Sequence, residues 1–298
     1  MVQLRLFLPP RPSFIGKILL IGEIALLLAF GSLLAGVHPA YASGGGGLMY
    51  VQTTTSANIS GASTLLDNPV TNNNPNALVF VTASWNFGGS VLDNHPQGVW
   101  YDTYEAKWAI FNEDQAPMPV GSTFNVYVSP GQNASVFQLT ATTANTYGNS
   151  TYLNNPTLGS NIYAKLLVTQ NWSPNGVYNP HNIAIRNDST RVDWGIYNPD
   201  GAAIPVGATF NIMDITGVSS AIFQVATSSN TSGDITCINN AATNNNPSAM
   251  VFTTYNLDYT TRYTDTSEVW YDTYSRQWCI FDASFNNIPL GAVFFVLL

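Results

Sequence analysis

Histidine and carboxylate side chains are the residues of this sequence that could carry acid–base or metal chemistry. His95 and His181 occupy the same position in two repeated segments, and a third repeat has Asp265 there. A zinc site needs three or four ligands in one place, which one histidine per repeat does not supply. The sequence also offers no serine nucleophile motif with a histidine partner. We therefore expect loop roles for both histidines, and no metal or cofactor.

Acidic residues crowd the first repeat and could in principle form the carboxylate pair of a glycosidase. They are Asp93, Asp102, Glu105, Glu113 and Asp114. The second repeat keeps an acid at only two of these positions, Asp188 and Asp200. A repeated active site should not lose half of its acids, so we predict that the protein is not an enzyme. Oxygen ligands near Asp102 or Asp114 leave a calcium site open, although their spacing fits no established calcium loop.

Aromatic residues are the better candidates for a binding surface. One predicted strand carries Trp100 in the first repeat, Arg186 in the second and Trp270 in the third. A packed interior would not accept that exchange, so we expect this position to face solvent. The candidate binding residues are Trp100, Asp102, Tyr104, Trp270, Asp272 and Tyr274. Exposed rings stack on sugar faces and repetition raises avidity, which predicts a polysaccharide or another cell-surface polymer as the ligand.

Two other interpretations of these residues stay open. The aromatic side chains would also be explained by packing against a neighbouring module. Asp102, Asp188 and Asp272 recur where one predicted strand turns back towards the next. Aspartate side chains commonly accept backbone hydrogen bonds at such turns, so a purely structural role is the simpler explanation for them.

All of these residues belong to a segment that occurs three times. Trp108, Trp194 and Trp278 begin the strings WAIFNEDQAPMPVGSTFNV, WGIYNPDGAAIPVGATFNI and WCIFDASFNNIPLGAVFFV, which align without gaps. The tryptophans are 86 and 84 residues apart (194 − 108 and 278 − 194), as expected for tandem modules. Each is followed two residues later by isoleucine, so both side chains point to one face of a strand, which we assign to the core.

The spacing of turn residues predicts the fold class. We place the modules at residues 49–128, 135–214 and 220–298, each with six short strands separated by Asn, Pro, Gly and Asp. No segment after residue 48 shows convincing helical periodicity. We predict an all-β protein of three tandem β-sandwich-like modules, each with its own core, rather than one closed threefold barrel.

The N-terminus predicts export. Basic residues precede an apolar run at 24–36, and Ala40-Tyr41-Ala42 fits a signal-peptidase site, so residues 1–42 are interpreted as a signal peptide. Residues 43–48 then form a flexible, glycine-rich leader, and the protein is secreted or displayed at the cell surface without stable membrane insertion. An uncleaved anchor is the alternative, although Glu23 interrupts the longer apolar stretch. The net charge of −8 disfavours binding to nucleic acid.

The two cysteines lie in the third repeat. Cys237 and Cys279 are replaced by Leu65 and Ala109 in the first copy. In an exported protein such a pair can form one disulfide, but two buried thiols would fit the apolar surroundings equally well. Spacing alone does not decide between them.

The motifs VTQNWSPNGVYNPHNIAI and VWYDTYEAKWAIFNEDQAPMPVGSTFNV resemble a family of uncharacterised bacterial secreted proteins built from tandem β modules. The resemblance covers the chain from about Met49 onward. It implies export, repetition and a β fold, and it transfers no catalytic residues. The alternative to polymer binding is a structural or matrix protein, a spacer or fibre, that self-associates when the apolar strand ending at Leu298 completes the sheet of another molecule.

Overall fold

The computed structural model describes residues 41–42, 47–85, 91–173, 175–257 and 261–298. Residues 1–40 of the predicted signal peptide and residues 43–46 of the predicted leader lie outside this part of the chain. The prediction of an all-β fold with three tandem modules is confirmed. Within the described residues the one helix, α1 (Pro156–Gly159), is far too short to cross a membrane.

Each repeat contributes seven strands, one more than expected, because a two-residue strand precedes each short predicted strand. A further short strand, β1 (Tyr41–Ala42), precedes the first repeat. The first repeat contains β2 (Leu48–Thr53), β3 (Ile59–Ser60), β4 (Ser63–Leu65), β5 (Leu78–Trp85), β6 (Gln97–Asp102), β7 (Lys107–Asn112) and β8 (Thr123–Ser129). The second contains β9 (Val136–Thr140), β10 (Thr146–Tyr147), β11 (Ser150–Tyr152), β12 (Leu166–Asn171), β13 (Ala184–Asp188), β14 (Asp193–Tyr197) and β15 (Thr209–Asp214). The third contains β16 (Ala221–Val225), β17 (Thr231–Ser232), β18 (Ile235–Cys237), β19 (Phe252–Asn256), β20 (Ser267–Asp272), β21 (Gln277–Asp282) and β22 (Val293–Leu297).

Each repeat folds into two layers that enclose one core. In the first repeat, β2, β8 and β5 form one layer, and β3, β4, β7 and β6 form the other. Trp108 and Ile110 on β7 pack with Val79 on β5 and Phe124 on β8, and all four are buried. The alternation of inward side chains along these strands is what the sequence predicted for a sandwich.

The repeated tryptophan fixes the same loop in all three copies. Trp108, Trp194 and Trp278 are fully buried. Their indole N–H groups donate to backbone carbonyls of the loop before the long strand, at Asn74 (2.9 Å), Asn161 (3.0 Å) and Asn246 (2.9 Å). Because a buried indole N–H needs an acceptor, this bond anchors the loop in every copy, although the loops differ in sequence and only the second contains α1.

The two layers of a repeat belong to different sheets. The strand β6 of repeat one pairs in parallel with β12 of repeat two, β13 of repeat two pairs with β19 of repeat three, and β20 of repeat three pairs with β5 of repeat one. Each sheet therefore joins four strands of one repeat to three of another, and the three repeats are linked in a closed cycle. The sequence led us to expect modules with sheets of their own, so this sharing is a correction.

A second contact closes the same cycle at its centre. Phe80, Leu167 and Phe252 occupy equivalent positions on the three long strands and share one hydrophobic cluster. Next to them, three threonine hydroxyls accept backbone N–H groups from the preceding repeat in the cycle. The bonds are Val81 N to Thr169 Oγ1 (3.2 Å), Val168 N to Thr254 Oγ1 (3.0 Å) and Thr253 N to Thr82 Oγ1 (3.1 Å).

The third repeat differs at two places that the sequence had singled out. Cys237 on β18 lies directly opposite Cys279 on β21, and a disulfide joins them. The C-terminal strand β22 is an interior strand between β19 and β16. It therefore has no free edge for the sheet of another molecule, contrary to our expectation.

Candidate functional site

The repeated aspartates hold tight turns. Asp102 Oδ1 accepts the backbone N–H groups of Tyr104 (2.8 Å) and Glu105 (3.1 Å) after β6. Asp272 does the same for Tyr274 (2.9 Å) after β20. Burial raises the pKa of Asp272, but hydrogen bonds from Ser275 and Tyr274 outweigh it and leave this pKa below its ordinary value. These contacts are those of the structural turn role that we had left open.

The tyrosines at these turns stand free of other rings. Tyr104 is 93% exposed and Tyr274 is 96% exposed. Within the described residues no aromatic ring contacts either side chain, so the turn tips are separate from the tryptophans of the same strands. The continuous platform that we expected from Trp100 to Tyr104 is therefore not formed by ring contacts.

Trp100 forms one wall of a cleft between the first two repeats. Its side chain is half-buried rather than fully exposed, and its indole N–H donates to Ser63 Oγ (3.2 Å). Its ring meets that of Trp172, which follows β12 of the next repeat, at a centroid distance of 6.0 Å and an angle of 82°. The expectations of exposure and of packing on a neighbouring module are thus each partly met.

The cleft is aromatic with a few polar groups. Its volume is about 300 Å³, and it opens to solvent. It is lined by Ala62, Ser63, Trp100, Phe111, Gln115, Trp172 and Tyr178. The ring of Tyr178 lies 5.7 Å from Trp172 and 5.9 Å from Phe111, so four rings follow one another around the cleft. A cleft lined by aromatic and polar side chains suits a ligand that has both apolar faces and hydroxyl groups.

A related aromatic group lies where the third repeat meets the first. Trp270 on β20 and Trp85 on β5 are register partners in the parallel pair, with ring centroids 6.1 Å apart. Trp85 also contacts Phe281 at 5.8 Å, and it is 36% exposed. From the sequence we expected Trp270 in a site, but not Trp85 or Trp172. The signal available was that both tryptophans occupy the same position at the end of the long strand in two repeats.

The remaining junction, between the second and third repeats, carries a cation in place of the tryptophan. Arg186 is half-buried, with its guanidinium 4.2 Å from the centre of the Tyr197 ring. Its Nη2 donates to the Tyr197 hydroxyl (3.0 Å). Leu257 stands where the other junctions have Trp85 or Trp172, and it packs against the core of the third repeat. This junction therefore has no tryptophan pair.

Buried carboxyl groups form hydrogen bonds between the two repeats at each aromatic junction. Glu113 Oε2 accepts the backbone N–H of Asn179 (3.1 Å), and Glu268 Oε1 accepts that of Asp93 (3.1 Å). Asn179 and Asp93 are equivalent residues, so Glu113, which follows β7, and Glu268, which lies on β20, bind the same backbone position at their junctions. Burial raises the pKa of Glu113 to about 8 and that of Glu268 to about 7.

The other acidic residues and the histidines fall into separate groups. Burial raises the pKa of Asp93 to about 6, and this carboxyl accepts a hydrogen bond from Asn112 (3.0 Å). The loops carry two equivalent histidine–aspartate contacts, His95 Nδ1 with Asp114 Oδ2 (2.7 Å) and His181 Nδ1 with Asp200 Oδ2 (2.6 Å). In the described part of the chain, no three metal-binding side chains come together.

These features define a class of protein, namely tandem β-sandwich repeats in a closed cycle, with an aromatic cleft at one junction and a related aromatic group at another. The chain belongs to the family of the domain of unknown function DUF7452, whose model matches residues 40–128, 98–212 and 185–298. The second and third matches begin within β6 and β13, the strands that pair with the next repeat, so they overlap as the shared sheets do. No curated protein and no solved structure matches the chain.

Proposed function

We propose that this protein is a non-enzymatic, secreted or cell-surface protein that binds a polysaccharide through the aromatic side chains at the junctions between its repeats. The cleft of about 300 Å³ beside Trp100 and Trp172 carries this proposal. Tryptophan rings stack on the apolar faces of sugars, while Ser63 and Gln115 offer hydrogen bonds to hydroxyl groups. The signal-peptide pattern and the disulfide of the third repeat support export to an oxidising compartment.

The charges favour a neutral polymer. The protein carries a net charge of −8, and the cleft is lined by uncharged side chains. Nucleic acids and anionic lipids would be repelled, because their binding depends on lysine and arginine contacts to phosphate. A neutral glycan meets no such penalty.

Retention on insoluble glycans tests the proposal. The protein from residue 43 onward is mixed with cellulose, chitin or xylan, and the bound fraction is measured. We expect the unaltered protein to be retained on at least one of them, and Trp100→Ala combined with Trp270→Ala to abolish retention. The matched variant, Trp100→Phe with Trp270→Phe, keeps two aromatic rings and should restore part of the binding. Equal retention of the alanine variant, with an unchanged circular-dichroism spectrum, would refute the proposal.

A structural or matrix role is the second candidate, and the edge strands favour it. The strands β9 and β16 each lie at the edge of a sheet, and Phe223 on β16 is 42% exposed. An exposed edge with an apolar side chain can pair with another chain. If this role holds, light scattering after size-exclusion chromatography will show oligomers that Phe223→Lys disperses. A monomer at all concentrations would contradict it.

A further inference from the structure

An exposed phenylalanine, Phe285, lies at the junction between repeats three and one, and burial of its side chain does not explain it. Phe285 follows β21 with its side chain 61% exposed and with a backbone φ of 61°. A bulky residue at positive φ is uncommon and strained, and the second repeat has Gly201 at the equivalent position. An exposed phenylalanine gains little by burial, so stability does not explain its presence here.

The position of Phe285 relates it to the aromatic cleft. Its equivalent in the first repeat is Gln115, which lines the cleft beside Trp100. Trp270 and Phe281 are likewise the equivalents of Trp100 and Phe111, and Trp85 is the equivalent of Trp172. The junction between repeats three and one thus carries the equivalents of Trp100, Phe111 and Trp172, with an exposed phenylalanine where the cleft has Gln115.

We propose that the protein has two separate glycan sites and cross-links polymer chains. One site is the cleft of Trp100 and Trp172, and the other is formed by Trp85, Trp270, Phe281 and Phe285. The third junction is occupied by the Arg186 and Tyr197 pair, which leaves two sites in each molecule. This inference rests on the proposed function and adds to it the number of glycan sites in each molecule.

The chemistry of both sites selects neutral β-1,4-linked glycans. Each site presents one tryptophan pair supplied by two repeats, with an angle of 82° between the rings of Trp100 and Trp172 and of 41° between those of Trp85 and Trp270. Each sugar of an equatorial β-1,4-linked chain has two apolar faces, so one sugar can stack on one ring of such an angled pair, whereas an acidic chain would meet the negative protein. The second site has Phe285 where the first site has the polar Gln115, so it should depend more on stacking.

The number of sites is measured with cellohexaose by titration calorimetry. We expect two sites in the unaltered protein, and one in either Trp172→Ala or Phe285→Gly. Loss of Phe285 should weaken the second site at least about tenfold. Phe285→Gly should fold normally, because glycine accepts a positive φ, and its melting temperature should equal or exceed that of the unaltered protein. Phe285→Tyr keeps a ring and should retain two sites.

Cross-linking is measured with soluble hydroxyethylcellulose, by light scattering at equal protein concentration. The unaltered protein should produce large aggregates of polymer, and each single-site variant should bind without producing them. One site in the unaltered protein, unaffected by Phe285→Gly, would overturn the two-site inference and leave the proposed function intact. Absence of binding to cellohexaose and to every insoluble glycan would overturn both.

Discussion

Replacing the buried glutamate between repeats one and two is the most informative perturbation of the fold. Glu113 is 2% exposed, and its carboxyl accepts the backbone N–H of Asn179. Burial raises its pKa to about 8, from an ordinary value of 4.5. Glutamine keeps an oxygen acceptor of the same shape but does not ionise. We therefore expect Glu113→Gln to remove a pH dependence without removing the contact.

The direction of the effect follows from proton binding. Between pH 4.5 and 8 the folded protein keeps the Glu113 proton, whereas the unfolded chain releases it. The free energy of unfolding should then fall as the pH rises, by up to about 1.4 kcal/mol per pH unit for this group. Between pH 5 and pH 7 the loss is on the order of 2–3 kcal/mol. Glu268, with a pKa of about 7, should add a similar loss over that range.

Urea unfolding at pH 5, 6, 7 and 8 measures this dependence. We expect the unaltered protein to be most stable near pH 5. The free energy of unfolding of Glu113→Gln should decline less with rising pH and should exceed that of the unaltered protein at pH 8. The exposed Glu105→Gln is the matched control and should leave the pH dependence unchanged. The reasoning is refuted if the unaltered protein becomes more stable between pH 5 and pH 7, or if Glu113→Gln declines as steeply as the unaltered protein.

Two further predictions concern the core and the disulfide. Trp278→Ala should lower the free energy of unfolding by roughly 3–5 kcal/mol. Calorimetry should show one unfolding transition, because the sheets of each repeat continue into its neighbours. A separate transition at lower temperature would contradict the shared sheets. Replacing Cys237 and Cys279 by serine opens a loop with a sequence separation of 42 residues and should cost about 2–4 kcal/mol. Thiol labelling of the unreduced, denatured protein checks the bond, and two reactive thiols would exclude it.

The aromatic site could be predicted from the sequence only in part. The exchange of Trp100 for Arg186 led us to expect a solvent-facing position, and both side chains are half-buried. Its partner Trp172 belongs to the next repeat, and their contact depends on the parallel pairing of β6 with β12. Local periodicity describes the faces of a strand but not which distant strand lies beside it. The cleft therefore followed only from the structure.

The buried carboxyl groups show why comparing repeats was insufficient. Glu113 and Glu268 differ in position within their repeats, so an alignment shows each as an isolated acid. A Cβ atom at Gly98, the equivalent of Glu268, would lie 2.3 Å from Glu113 Oε1. The glycine thus leaves space for the side chain of Glu113, which comes from the turn after β7. Such compensation is a property of packed volume, which only the folded chain reveals.

The sequence by itself determined the three repeats, the all-β class and the tryptophan that each repeat assigns to its core. These properties depend on local patterns, namely turn residues, alternation along strands and recurrence at a fixed spacing. The tertiary structure decided how the repeats join, that Cys237 meets Cys279 and that β22 is enclosed between β19 and β16. These outcomes depend on strand pairing between distant segments, which is selected by the burial of whole faces and by hydrogen bonds across repeats rather than by local sequence.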